Sequence, residues 1–202
     1  MTVTKIEPVT KTRFRVYIDE QFAFVLYNGE LSRYHIAVDS ELDEEDYNEI
    51  FRDIIVKRVK ARALHLLSDM GRTEAQLRSK LEQGGYTEEA VEEAVRYVKS
   101  FGYLNDREYA RSFIEGRKNR KSRRELYAAL CRKGIGRDEA EEALEEYYDG
   151  DASRTAIEAL IRKKRFDAET ADYVQTQKMA GYLLRKGFGY DEIRRALKMS
   201  EQ

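Results

Sequence analysis

Six cations fall within eight residues: Arg117, Lys118, Arg120, Lys121, Arg123 and Arg124. A cluster that dense suits a polyanion, whose condensed counterions are released when lysines and arginines replace them. Further bases recur downstream at Arg132 and Lys133, at Arg162, Lys163, Lys164 and Arg165, at Arg185 and Lys186, and at Arg194 and Arg195. Together they are candidates for contact with nucleic acid or an acidic protein surface. A plainer explanation competes with this one. Cations near a helix C-terminus offset the helix dipole, which accounts well for Arg132-Lys133 and Arg185-Lys186 and poorly for six bases in eight residues. Tyr103, Tyr109, Tyr127 and Tyr182 lie near the bases in sequence and could stack on nucleobases; helix packing is the competing use.

Other chemistry finds no constellation. The two histidines are His35 and His65; the second lies inside a helical stripe, where a core or boundary role is expected. No HExxH, CxxC or P-loop signature occurs. "GGY", "GIG" and "GFG" resemble phosphate loops weakly, but they recur where helices should stop, which favours C-capping. The acidic run "DEAEEALEEYYDGD" lacks a calcium-loop pattern and reads as a solvated helix face. A non-enzyme without cofactor or metal is expected.

Local charge is polarised although the net charge is only −1. Residues 111–137 hold ten bases and two acids, and residues 138–151 hold eight acids and no base. Such asymmetry suggests an anionic partner on some faces and a solvated acidic surface on others. Cys131 is the only cysteine, which suits a reducing compartment. No run is long and apolar enough for a membrane span, and the N-terminus lacks an apolar signal segment. A cytoplasmic monomer is expected.

The elements that must position these bases come from patterning. "RFRVYID" and "FAFVLY", either side of "EQ", predict a β-hairpin, which needs a third strand or a packing partner to be stable. "YNGE" reads as a turn. From about residue 43 helices take over. Tyr47, Ile50, Ile54, Val59, Ala63, Leu66 and Leu67 form an apolar stripe. Thr73 with Gln76, and Ser122 with Glu125, are capping-box pairs, and Thr87 is placed to cap a further helix.

One pattern occurs three times, as "LEQGGYTEEAVEEAV", "LCRKGIGRDEAEEAL" and "LLRKGFGYDEIRRAL". Each copy starts with a leucine (Leu81, Leu130, Leu183), followed four residues on by a glycine (Gly85, Gly134, Gly187) and then an apolar residue (Tyr86, Ile135, Phe188). The glycine would let one helix end in a left-handed residue before the next begins. The expected fold is therefore all-α: three tandem three-helix repeats forming an elongated curved array, preceded by a small β-hairpin-like N-terminal extension. The expected divisions are residues 1–42 for the extension and 43–104, 105–149 and 150–202 for the repeats. The middle helix of the third repeat should be the longest of its kind.

The stretch from Ala63 to Gly136 carries a specific resemblance. Arg72-Thr73 followed by Leu77, Lys80 and Leu81, then "GYLND", then "YARSF", is similar to the RecX family of bacterial regulators. The third copy fits more loosely, over about 152–198, and the N-terminal extension resembles that of the longer family members. One departure is Gly84, where the later copies have Lys133 and Lys186. The resemblance implies a modulator of the RecA recombinase that binds in the groove of the RecA–DNA filament, inhibits ATP hydrolysis and strand exchange, and restrains recombination and the SOS response. It implies that the bases named above face RecA or single- or double-stranded DNA. A stand-alone DNA-binding protein competing for single strands is the alternative.

Overall fold

The computed structural model describes residues 1–199. Its N-terminal part is an antiparallel sheet in the order β1 (Val3–Pro8), β2 (Arg13–Ile18), β3 (Gln21–Tyr27). The expected hairpin is thus completed by a third strand. Its turn is Asp19-Glu20, both with positive φ (46° and 68°), as a tight turn between twisted strands requires. "YNGE" is not a free turn. It opens α1 (Asn28–Arg33), because the Glu30 carboxylate accepts the Tyr27 backbone N–H (2.7 Å) and Leu31 is buried.

The first long helix departs from a plain α-helix. It runs as α2 (Glu44–Glu49), a π-helical segment (Ile50–Val56) and α3 (Lys57–Asp69). Ile50 and Ile55, five residues apart, are both buried, and the wider π turn brings such a pair closer to one face than an α turn does. The expected stripe holds, with Ile50, Val59, Ala63 and Leu66 buried and Tyr47, Ile54 and Leu67 packed against the core, and the π turn adds Phe51, Ile55 and Val56.

The first repeat continues with α4 (Glu74–Gln83) and α5 (Glu88–Ser100). The second comprises α6 (Asp106–Glu115), α7 (Arg123–Arg132) and α8 (Arg137–Tyr147). The third comprises α9 (Gly150–Lys163), α10 (Tyr173–Lys186) and α11 (Tyr190–Ala196). At 14 residues α10 exceeds α4 and α7, with 10 each. The capping boxes at Thr73 and Ser122 form as expected. Thr87 does occupy the N-cap position of α5, but its hydroxyl is buried and makes no hydrogen bond.

The repeated motif has one geometry in all copies. Gly85, Gly134 and Gly187 have φ of 85°, 87° and 90°. The N–H of the apolar residue that follows donates back to the carbonyl of the leading leucine: Tyr86 to Leu81, Ile135 to Leu130, Phe188 to Leu183 (3.4, 3.2 and 3.3 Å). This is the Schellman closure, and the three leucines are fully buried beneath it.

By contacts the chain forms two units, Met1–Asn105 and Asp106–Gln202. In the first, the sheet and the first repeat share one hydrophobic core, from Val16 and Phe24 to Leu77, Val91 and Val98. In the second, the second and third repeats each have a cluster, centred on Leu126, Leu130 and Leu144 and on Ile157, Leu183 and Ile193.

Candidate polyanion interface

The structure distributes the sixteen candidate bases over the second unit by local helix geometry. The turn between α6 and α7 and the start of α7 carry six of them. The Arg117 guanidinium lies 4.1 Å from the Phe113 ring centroid, and Lys118 Nζ donates to the Tyr147 carbonyl (3.4 Å). Lys121 pairs with Glu125 (3.3 Å) and Arg123 with Glu141 (2.6 Å). Arg120 and Arg124 are exposed and have no ion pair among the described residues.

The start of α7 meets the end of α10. The Ser122 hydroxyl accepts the Glu125 N–H (3.1 Å) and donates to the Lys186 carbonyl (2.6 Å), while Lys186 Nζ pairs with Glu125 (3.2 Å). One carboxylate thus gathers Lys121 and Lys186. Burial opposes charge on Glu125, but the bonds from Lys186, from the Ser122 N–H and from Lys121 outweigh it and hold its carboxyl below the usual range. Beside them Arg123 and Arg124 line an open cleft of about 520 Å³ with Tyr127, Tyr148 and Glu192. Burial pushes the Tyr148 phenol up, and its hydroxyl donates to the Lys121 carbonyl (3.1 Å).

At the end of α7, Arg132 is exposed, and Lys133 Nζ lies 5.7 and 5.4 Å from the Tyr109 and Phe113 ring centroids. The third repeat holds the rest. Arg162 and Lys163 are exposed in the last turn of α9; Lys164 lies 5.0 Å from the Tyr182 ring centroid, and Arg165 follows with φ 52°. Arg185 is exposed beside Lys186; Arg194 is half-buried, and Arg195 donates to the Asp191 carbonyl (3.2 Å). The groups at α7–α10 and at the end of α9 line separate clefts. Lys178 also lines the second cleft; isolated in the sequence, it belongs to no visible run of bases.

In the first repeat the lysine position of the later copies is Gly84. Its carbonyl accepts from Arg13 Nη2 (3.2 Å), and the neighbouring Gly85 abuts Val25 of β3. This corner is therefore turned toward the sheet. His65 is exposed on α3 rather than in the core. The acidic run forms α8 and the turn after it, where Glu141 and Glu146 pair with Arg123 and Arg107. Among the described residues no group of three histidine, cysteine or acidic side chains could hold a metal ion, and no helix is long and apolar enough to cross a membrane.

The architecture defines a class first: tandem three-helix repeats, each closed by a Leu–Gly–apolar turn, behind a three-stranded sheet. Models of the first, second and third three-helix domains of RecX match residues 60–97, 105–144 and 153–197. The regulatory protein RecX of Caldanaerobacter subterraneus subsp. tengcongensis is 31% identical over 202 residues, covering 99% of this chain and all of the relative. That of Clostridium perfringens (strain SM101) is 30% identical, covering 95% of this chain and 91% of the relative. A crystal structure of regulatory protein RecX aligns with TM-score 0.63 at 25% identity over 98% of this chain and 99% of that one. The crystal structure of RecX from Lactobacillus salivarius aligns with TM-score 0.61 at 26% identity, over 71% of this chain and 95% of that one. The chain belongs to the RecX family, whose members named here are regulatory proteins.

Proposed function

We propose that this protein binds the RecA–DNA filament and inhibits its ATPase and strand-exchange activity, restraining recombination and the SOS response. The observation that carries the proposal is the match of all three RecX domains in order along the chain. It acts as a monomer in the cytoplasm, without a cofactor and without turnover of its own. The contact surface is the set of bases on the second unit, and its reactive part is the subset not already neutralised inside the protein. Arg120, Arg124, Arg132, Arg162, Lys163 and Arg165 are exposed and have no ion pair among the described residues, so partner binding costs them no internal bond. Lys121 and Lys186 instead share Glu125 at the α7–α10 junction, and Arg123 is held by Glu141 of α8. The test is a titration of the protein against RecA on single-stranded DNA, following ATP hydrolysis and light scattering together. Inhibition at or below equimolar protein supports the reading, and unchanged hydrolysis refutes it.

The same unpaired arginines favour a second reading, direct DNA binding that acts by competition for the strand. The variant R120A/R124A separates the two. If RecA contact dominates, DNA affinity survives and filament inhibition falls; if DNA contact dominates, affinity and its salt dependence fall together.

A further inference from the structure

We propose that the cleft between the end of α9 and α10 is a binding site for one unstacked nucleotide of a single-stranded nucleic acid, its phosphate held by Arg165 and Lys178 and its base lying against Tyr182. The inference rests on the DNA-contact reading above and assigns it a place. The cleft holds about 470 Å³ and is lined by Lys164, Arg165, Phe166, Lys178 and Tyr182, a size within the range of small-ligand sites.

Three observations converge. First, the cations are unopposed. Arg165 and Lys178 have no ion pair among the described residues, and Lys164 lies against the Tyr182 ring, 5.0 Å from its centroid. The acid of the lining, Asp167, turns its oxygens to its own loop, accepting the Glu169 N–H (2.9 Å) and the Thr170 hydroxyl (3.0 Å). Glu169 is paired with Lys198 (2.8 Å). Second, the helix dipole explains only part of the set. It favours Arg162, Lys163 and Lys164 at the end of α9, but Lys178 lies in the N-terminal half of α10, where a cation gains nothing from it.

Third, Arg165 holds a position that favours glycine. Its N–H donates to the Arg162 carbonyl (3.0 Å) and the Phe166 N–H to that of Ile161 (3.2 Å), the Schellman closure made by glycine at the three repeat motifs. At φ 52° a side chain is disfavoured. Arg165 lines the cleft, and strain of this kind concentrates at functional positions. The aromatic surface selects single strands, because a base inside a duplex has both faces covered by its stacked neighbours.

The experiment measures fluorescence anisotropy of a labelled 15-nucleotide oligothymidylate, and of an abasic oligomer of equal length, over a range of salt concentrations. The wild type is expected to bind the oligothymidylate more tightly than the abasic strand. Tyr182→Leu, which keeps apolar packing, should weaken oligothymidylate binding roughly 5- to 150-fold, the range for one lost base stack, and erase the preference. Lys178→Ala and Arg165→Gly should each lower the log–log salt slope by about 0.7, one single-strand phosphate contact. Arg165→Gly should also raise Tm, so its lost affinity cannot come from unfolding. Equal affinity for both oligomers, or variants that bind as the wild type does, overturns the site. So do variants that keep DNA affinity but lose filament inhibition, which would assign the cleft to an acidic protein segment. Inhibition of RecA by a wild type that binds no oligomer overturns the site and leaves the regulator reading intact. Oligomer binding as expected, without RecA inhibition, does the reverse.

Discussion

Gly187 stands where two repeats touch. Its φ of 90° is the left-handed conformation, and a Cβ there would lie 2.8 Å from Arg124 Cβ and 3.0 Å from Arg124 Cδ. Gly187→Ala should therefore cost about 1–2 kcal/mol for the backbone alone, and more for the displaced arginine; urea denaturation against wild type measures it. A loss below 0.5 kcal/mol, the ordinary scatter of about that size for surface changes, would contradict the geometry. Glu125 supports the same junction. Its carboxyl is held low in the folded state, so the stability it contributes is present above the unfolded carboxylate range, near pH 4.3, and is lost as pH falls through the folded value. The Tm difference between wild type and Glu125→Gln should thus be constant from neutral pH to about pH 5 and shrink below about pH 4. A difference unchanged down to pH 3 would remove Glu125 from the junction. The bases themselves were legible as runs. Which of them are already occupied was not, because Glu141 meets Arg123, and Glu125 meets Lys186, only in the folded chain.

Caps and turns decide the elements, and the three N-cap positions behave differently. Thr73 and Ser122 bond their N3 amides, whereas the Thr87 hydroxyl is buried without a partner. Thr73→Val should cost about 1 kcal/mol as a lost cap, while Thr87→Val should be neutral or stabilising, since it removes an unsatisfied buried hydroxyl. Thermal melts of the two variants check the pair; equal destabilisation would contradict the assignment. These elements also show what sequence can carry. The Leu–Gly–apolar motif is local, because its hydrogen bonds close within six residues, so its meaning was readable three times over. The π-helical segment at Ile50–Val56 is not local. It lets Phe51, Ile55 and Val56 join the core shared with the sheet, and only the five-residue step from Ile54 to Val59 hinted at it. Asn-Gly signals a turn, and the segment becomes α1 only because Glu30 closes on the Tyr27 amide.

Over the whole molecule, bases and acids nearly cancel, yet the cations concentrate in the second unit while the first is net acidic. Within the second unit the acidic α8 neutralises some of the basic charge, through Glu141 with Arg123 and Glu146 with Arg107. The core of the first unit joins the sheet to the first repeat, and Gly84, at the position of Lys133 and Lys186, accepts a hydrogen bond from Arg13 of β2 through its carbonyl. If the partner is a polyanion, binding should fall steeply as salt rises, with a slope that counts the phosphates neutralised. The most direct measurement is RecA ATP hydrolysis on single-stranded DNA, titrated with the wild type and with R120A/R124A/R132A. Inhibition by the wild type at or below one protein per RecA, with the triple variant needing at least tenfold more, is the expected result. Hydrolysis unaffected by the wild type, or inhibited equally by the variant, would contradict a regulator that acts through this basic surface.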